Sequence, residues 1–245
     1  MKKIILDCET FSLAQEGFCK IFEITTGELL EFCLSFNEHY PDRHHLDYND
    51  WLYNHFKSIF GDPINEYLPY AFHLTRKFND QNYERSLLPT FALLDELIKR
   101  VNAIALRHEL NQLNRSTLLN KHMISLKFKM ERDGGPWGFV IFSEGQKRHF
   151  HKKISGPEIL FDIINSSYAN DAQKLIFDEI EEQTGPCALK FVSQKIAHPD
   201  NLCYVLSYIF KEIRKENSGD ACGCSFNINM WGHENIKVEK FIYFD

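Results

Sequence analysis

The chain is expected to fold as an α+β protein of two lobes, residues 1–114 and residues 115–245, and three observations lead there. Each half opens with short runs of β-forming residues separated by turn signals. Each half then continues into apolar residues at helical spacing, the clearest being Phe91, Leu94, Leu97, Ile98, Val101 and Ala105, and later Leu202, Val205, Leu206, Ile209, Phe210 and Ile213. Between the halves, Asn114 to His122 is polar and basic without apolar periodicity, the stretch best suited to a boundary.

Taken in order, Lys3 to Thr10 reads as a buried strand. Cys19 to Ile24 and Leu29 to Phe36 read as a hairpin across the turn Thr25-Thr26-Gly27-Glu28, giving a three-strand antiparallel start. The stretch from His39 is polar and precedes a short helix over Asp50 to Phe60, which Gly61-Asp62-Pro63 closes. Tyr67 to Leu74 is a fourth strand, restricted by Pro69 to an edge or a strand start, because proline gives no ladder hydrogen bond. A long amphipathic helix runs from Leu88 to about Leu113.

The second half restarts with strands over Met123 to Glu131, Trp137 to Phe142 and Lys147 to Lys152, joined by the turns Asp133 to Pro136 and Ser143 to Gln146. Ser155 and Glu158 have capping-box spacing for a helix from Pro157 to Asn165. Asn170 caps a second helix through Glu182, stopped by Gly185-Pro186, and Cys187 to Val192 returns as a strand. After the helix of the Leu202 stripe, Phe226 to Met230 and Ile236 to Phe244 form a last pair of strands.

Composition narrows the function classes. Hydrophobic residues make up 44% of the chain, enough for a core and against disorder. The formal net charge of -6 disfavours binding to nucleic acid through bulk charge. Seven cysteines, an odd number, fit free thiols in a reducing compartment. No apolar run approaches a membrane span and the start is too short for a secretory leader, so a cytoplasmic protein with no membrane partner is expected.

The one stretch with a chemical signature is Lys3 to Leu13, KIILDCETFSL. Alternation along this strand puts Asp7 and Glu9 on one face, where two carboxylates can share a hard divalent cation, magnesium or manganese. ILDCET resembles the first motif of the DEDD superfamily of 3′ to 5′ exonucleases, and KIFEI at Lys20 to Ile24 is similar to their second strand. The resemblance covers about the first 35 residues. It implies an RNase H-like strand order (βββαβα) in the first lobe, Asp7 and Glu9 as ligands of catalytic metal, and hydrolysis of phosphodiester bonds in a nucleic acid. The further aspartates and the general base of that family have no intact motif here, and Asp80 in the segment HLTRKFNDQNYE is the nearest third ligand.

Other constellations have ordinary explanations. His39, His44 and His45 read as surface residues, as do His149 and His151, which share a strand face. Cys222, Cys224 and His233 supply three ligands of a metal site and lack a fourth. Asp133 and Glu144 sit in natural hairpin turns. Trp51, Tyr53, Trp137 and Trp231 belong by default to the core. An acidic, aromatic-rich protein of this kind equally suits a non-enzymatic binding role with a basic protein partner and no cofactor, such as a bacterial toxin-neutralising immunity protein or a defence-associated partner.

Overall fold

The protein is a mixed α/β chain. In a computed structural model, the structure describes residues 3–37, 47–79, 86–87, 90–116, 118, 137–143, 158–192, 200–216, 225–227 and 236–244. Among the described residues the strands are β1 (Ile4–Leu6), β2 (Tyr67–Phe78), β3 (Ser86–Leu87), β4 (Trp137–Phe139), β5 (Thr184–Val192), β6 (Ser225–Asn227) and β7 (Ile236–Tyr243). The helices are α1 (Phe11–Phe22), α2 (Thr26–Ser35), α3 (Tyr48–Phe60), α4 (Thr90–Arg107), α5 (Glu158–Ser167), α6 (Asn170–Gln183) and α7 (Asp200–Arg214).

The expected hairpin over residues 19–36 is replaced by two helices, and the three-strand start on which the RNase H-like order rested is not formed by these residues. The physical reason is legible in hindsight. Thr25 and Glu28 make a complete capping box, with Thr25 Oγ1 accepting from the Glu28 amide at 3.2 Å and Glu28 accepting from the Thr25 amide at 2.8 Å. What reads as a turn is therefore a helix start. Behind it, the buried residues Leu29, Phe32, Cys33 and Phe36 recur at intervals of three and four, a helical stripe. In α1 the buried Ala14, Phe18, Ile21 and Phe22 do the same.

The chain forms two compact units. The first comprises residues 1–72, 139–146 and 192–226, and the second residues 73–138, 147–191 and 227–245. Residues 1–114 and 115–245, the lobes expected from the sequence, each contribute to both. In the first unit β1 pairs in parallel with the start of β2, Leu6 opposite Pro69, and β2 pairs antiparallel with β4 at Phe72 and Phe139. Helices α1, α2 and α3 each pack on α7, and their shared core is aromatic. Arg214 at the end of α7 donates to the Phe36 carbonyl at 2.7 Å, closing one of the open acceptors at the end of α2.

In the second unit the strand order is β3-β7-β5-β2, with β7 antiparallel to both of its neighbours. Its helices α4, α5 and α6 share an aliphatic core that includes Leu94, Val101, Ile163, Ile164, Ile176 and Ile180. Gly185 and Pro186 begin β5 instead of ending the preceding helix, and α6 starts from Ala169 without a side-chain cap. The buried Arg76 of β2 binds the end of α6, donating through Nε to Thr184 Oγ1 at 2.6 Å and through Nη2 to the carbonyls of Thr184 and Glu181. A cation is well placed there, since the last carbonyls of a helix carry its negative pole.

Helices α4 and α6 are also tied by charge. Glu179 accepts from Arg107, from Gln183 at 2.9 Å, and pairs with His108 at 2.7 Å. Burial alone would raise the Glu179 carboxyl, but the hydrogen bonds from Arg107 and His108 outweigh it and hold the group below its ordinary value of 4.5. A depressed carboxylate contributes stability that is complete above that value and is lost as pH falls through the folded-state pKa. The stability difference between wild type and Glu179→Gln, followed by thermal melts across acid pH, is therefore expected to be present at neutral pH and to disappear below 4.5. A difference that stays constant through the acid range would contradict this account.

Candidate functional site: the turn after β1 and the cleft between α1 and α2

Strand β1 ends at Leu6, so Asp7 and Glu9 lie in the turn that leads into α1 and not within the strand. Burial still alternates, with Leu6 and Cys8 buried and Asp7 and Glu9 half-buried. Asp7 Oδ1 accepts from the Glu9 amide at 3.1 Å, and Thr10 caps α1 by accepting from the Leu13 amide at 3.3 Å. The Cys8 carbonyl accepts from the Phe142 amide at 3.1 Å, which fixes the middle of the turn. Packing fixes it from the other side, because a Cβ built on Gly17 of α1 would stand 3.1 Å from Leu6 Cδ1 and 3.8 Å from the Asp7 amide nitrogen. The contact between the two residues runs from the Glu9 backbone amide to the Asp7 carboxylate, so part of the work of Asp7 is to shape the turn.

Asp80 lies outside the described residues, as do His39, His44, His45, His149, His151, Asp133, Glu144, Cys222, Cys224, Trp231 and His233. Among the described residues no three side chains of His, Cys, Asp or Glu converge on a position where a metal ion could be held. Five cysteines there, Cys8, Cys19, Cys33, Cys187 and Cys203, are buried and form no disulfide. Burial first, and the Glu28 charge second, push the Cys19 thiol up to about 11; Cys33 is pushed up to about 12 and Cys187 to about 11, again by burial first. Such thiols stay protonated at neutral pH and are poor nucleophiles.

Close by, α1 and α2 enclose an open cleft of about 500 Å³. Ile4, Ile24 and the mostly buried Cys19 give it apolar walls, and Glu16, Lys20 and Glu23 give it a charged rim. Lys20 pairs with Glu16 one turn earlier at 2.5 Å, and both side chains are more than half exposed. Asn65 braces the far side, donating to the Lys20 carbonyl at 3.0 Å and to Glu23 Oε1 at 3.2 Å. Its own amide and that of Ile64 donate to the Ile21 carbonyl, satisfying the end of α1. Thr26, the first residue of α2, completes the lining.

Comparison with protein-family models, with curated proteins and with solved structures gives no match. Function therefore has to be argued from the site alone.

Glu23 is the least ordinary residue of the cleft. It ends α1 in the left-handed conformation, φ 54°, where its amide donates to the Cys19 carbonyl. Glycine is the usual occupant of such a position, because a Cβ there costs about 1 kcal/mol. Sequence reasoning missed the cleft by taking this segment as a strand, and the signal that locates it is the T-x-x-E capping box at Thr25 to Glu28. Glu23→Gly is expected to exceed Glu23→Ala in stability by about 1 kcal/mol in urea unfolding. Equal stabilities would show that the left-handed geometry is not retained in solution.

Proposed function

We propose that the chain is a binding protein for a basic protein partner. The observation that carries this reading is the apolar-walled cleft with Glu16 and Glu23 on its rim, in a chain of net charge -6. Apolar walls beside carboxylates suit a long cationic side chain, whose methylenes need cover and whose head needs an opposite charge. The overall negative field steers a positive partner to the surface and speeds association more than it tightens the complex. A toxin-neutralising or defence-associated role fits this chemistry, since such a protein acts by occupying its partner.

The test is affinity purification of the tagged chain from its host at low and high salt, followed by reconstitution with the purified candidate. One basic protein is expected to co-purify, to form a stoichiometric complex, and to associate more slowly as salt rises. A chain that emerges alone at every salt concentration would refute the reading.

A second reading is favoured by one observation only, the ILDCET segment with its adjacent carboxylates. It takes the chain as a metal-dependent nuclease in which Asp7 and Glu9, with Asp80, would hold magnesium or manganese for attack on a phosphodiester. Binding to the folded state would raise the melting temperature with manganese concentration. Asp7→Asn and Glu9→Gln should each abolish both that response and hydrolysis of nucleic acid. A thermal midpoint indifferent to millimolar manganese would remove this reading.

A further inference from the structure

Residues 11–35, which contain α1 and α2, carry four glutamates, at positions 16, 23, 28 and 31, against one lysine, Lys20. Along the same segment two leucines face solvent on α2, Leu30 with 42% of its surface exposed and Leu34 with 59%. Thr26, which lines the cleft, stands one turn before Leu30 and two turns before Leu34, so cleft and leucines lie along one side of α2. Glu31 is exposed one turn before Leu34 on the same helix, whereas the Glu28 carboxylate is engaged in the capping box with Thr25 and lies away from Leu30. The pattern is an apolar ridge with carboxylates around it, running out of a cleft that is itself apolar inside and acidic at its rim.

We infer that this stripe is the docking surface for a basic amphipathic segment of a partner protein: the cleft takes one arginine or lysine side chain, and Leu30 and Leu34 take the apolar residues next to it. The inference rests on the binding-protein reading and names the place where it happens. Charge complementarity decides the occupant. A purely apolar segment would have to seat its flanks against the carboxylates of Glu16, Glu23 and Glu31, and an acidic one would be repelled. Small polyamines would satisfy the rim but would leave the leucines uncovered.

Among the described residues Lys20 is the one cation that lines the cleft and competes for its rim. Its pair with Glu16 is exposed and joined at a single carboxylate oxygen, an arrangement that contributes little and yields to a guanidinium able to bind a carboxylate through two parallel hydrogen bonds. Glu23 already accepts from Asn65 at 3.2 Å, but a carboxylate has about four acceptor positions, so that bond orients the group and leaves it capacity. The left-handed backbone of Glu23 adds a reason for its identity, since glycine would suit the backbone better and would supply no carboxylate.

The test uses the full chain as bait for a random display library of 12-residue peptides, and then measures the affinity of the selected peptides for wild type and variants. Peptides that combine arginine or lysine with leucine, isoleucine or phenylalanine are expected. Their affinity should fall about tenfold or more on Glu23→Gln and on Leu34→Asp, and should stay unchanged on Glu109→Gln, at an exposed glutamate just after α4 in the second unit, with circular dichroism and melting temperature establishing that each variant is folded. Basic peptides whose affinity ignores Glu23 and Leu34 would overturn the docking stripe while leaving the binding-protein reading in place. Peptides without basic residues, or none at all, would overturn both. Spermidine competing as well as unlabelled peptide would overturn the stripe in favour of a plain cation site.

Discussion

The first unit depends on one ring. Phe56 of α3 is fully buried, and its centroid lies 5.3 Å from Phe18, 5.0 Å from Phe22, 5.2 Å from Phe32 and 4.7 Å from Phe60. Its four neighbours come from α1, α2 and α3, so one side chain sets the mutual spacing of the three helices that pack on α7. Edge-to-face pairs such as Phe56 with Phe22, at 82°, and with Phe32, at 89°, have a preferred geometry beyond their area of contact. The cleft is a consequence. It exists because α1 must end at Phe22 and α2 begin at Thr26 for Phe22 and Phe32 both to reach Phe56, which leaves Glu23, Ile24 and Thr25 to turn the chain.

The same cluster explains why the fold of this region was only partly legible in the sequence. A run such as FCKIFEI reads as a strand when the turn-like Thr25-Thr26-Gly27-Glu28 follows it, although its apolar residues at 18, 19, 21, 22 and 24 are spaced for a helix. The longer window from Thr10 to Phe36, with threonine caps at Thr10 and Thr25, holds the helical answer. Long stripes without such ambiguity were readable: α4 and α7 occupy the places that their spacing marks, and β7 likewise. Short signals misled where tertiary context overrode them. Gly185-Pro186 opens β5, because Arg76 and Thr184 already finish α6 one residue earlier.

The candidate site divides in the same way. Asp7 and Glu9 were visible as a pair because they are neighbours in sequence, and the structure places both in the turn after β1, where the Glu9 backbone amide donates to Asp7. The cleft was invisible, since Ile4, Glu16, Glu23 and Asn65 are brought to one place by the packing of β1, α1 and the segment before β2. Asn65 illustrates the difficulty. Nothing in Gly61-Asp62-Pro63-Ile64-Asn65 marks a functional residue, yet its side chain bridges the Lys20 carbonyl and the Glu23 carboxylate across more than 40 positions of sequence.

Polar chemistry is distributed unevenly between interior and surface, and that distribution bears on what the first unit can do. Among the described residues its thiols are buried and those at Cys19 and Cys33 are held protonated by burial, while Thr10, Thr25 and Asp47 are engaged as helix caps. The Arg214 guanidinium is drawn to the Phe36 carbonyl and lies 5.0 Å from the Phe210 ring. What α1 and α2 present outward includes carboxylates and leucines, beside Lys20, on a closely packed aromatic core, an arrangement suited to recognition through a preformed surface. Rigidity of that kind lowers the ordering cost of association, so the energy of a few central contacts is retained in the complex. The left-handed Glu23 belongs to this logic: a helix end that glycine would make more comfortable is kept as a carboxylate at the mouth of the cleft, held in place by Asn65.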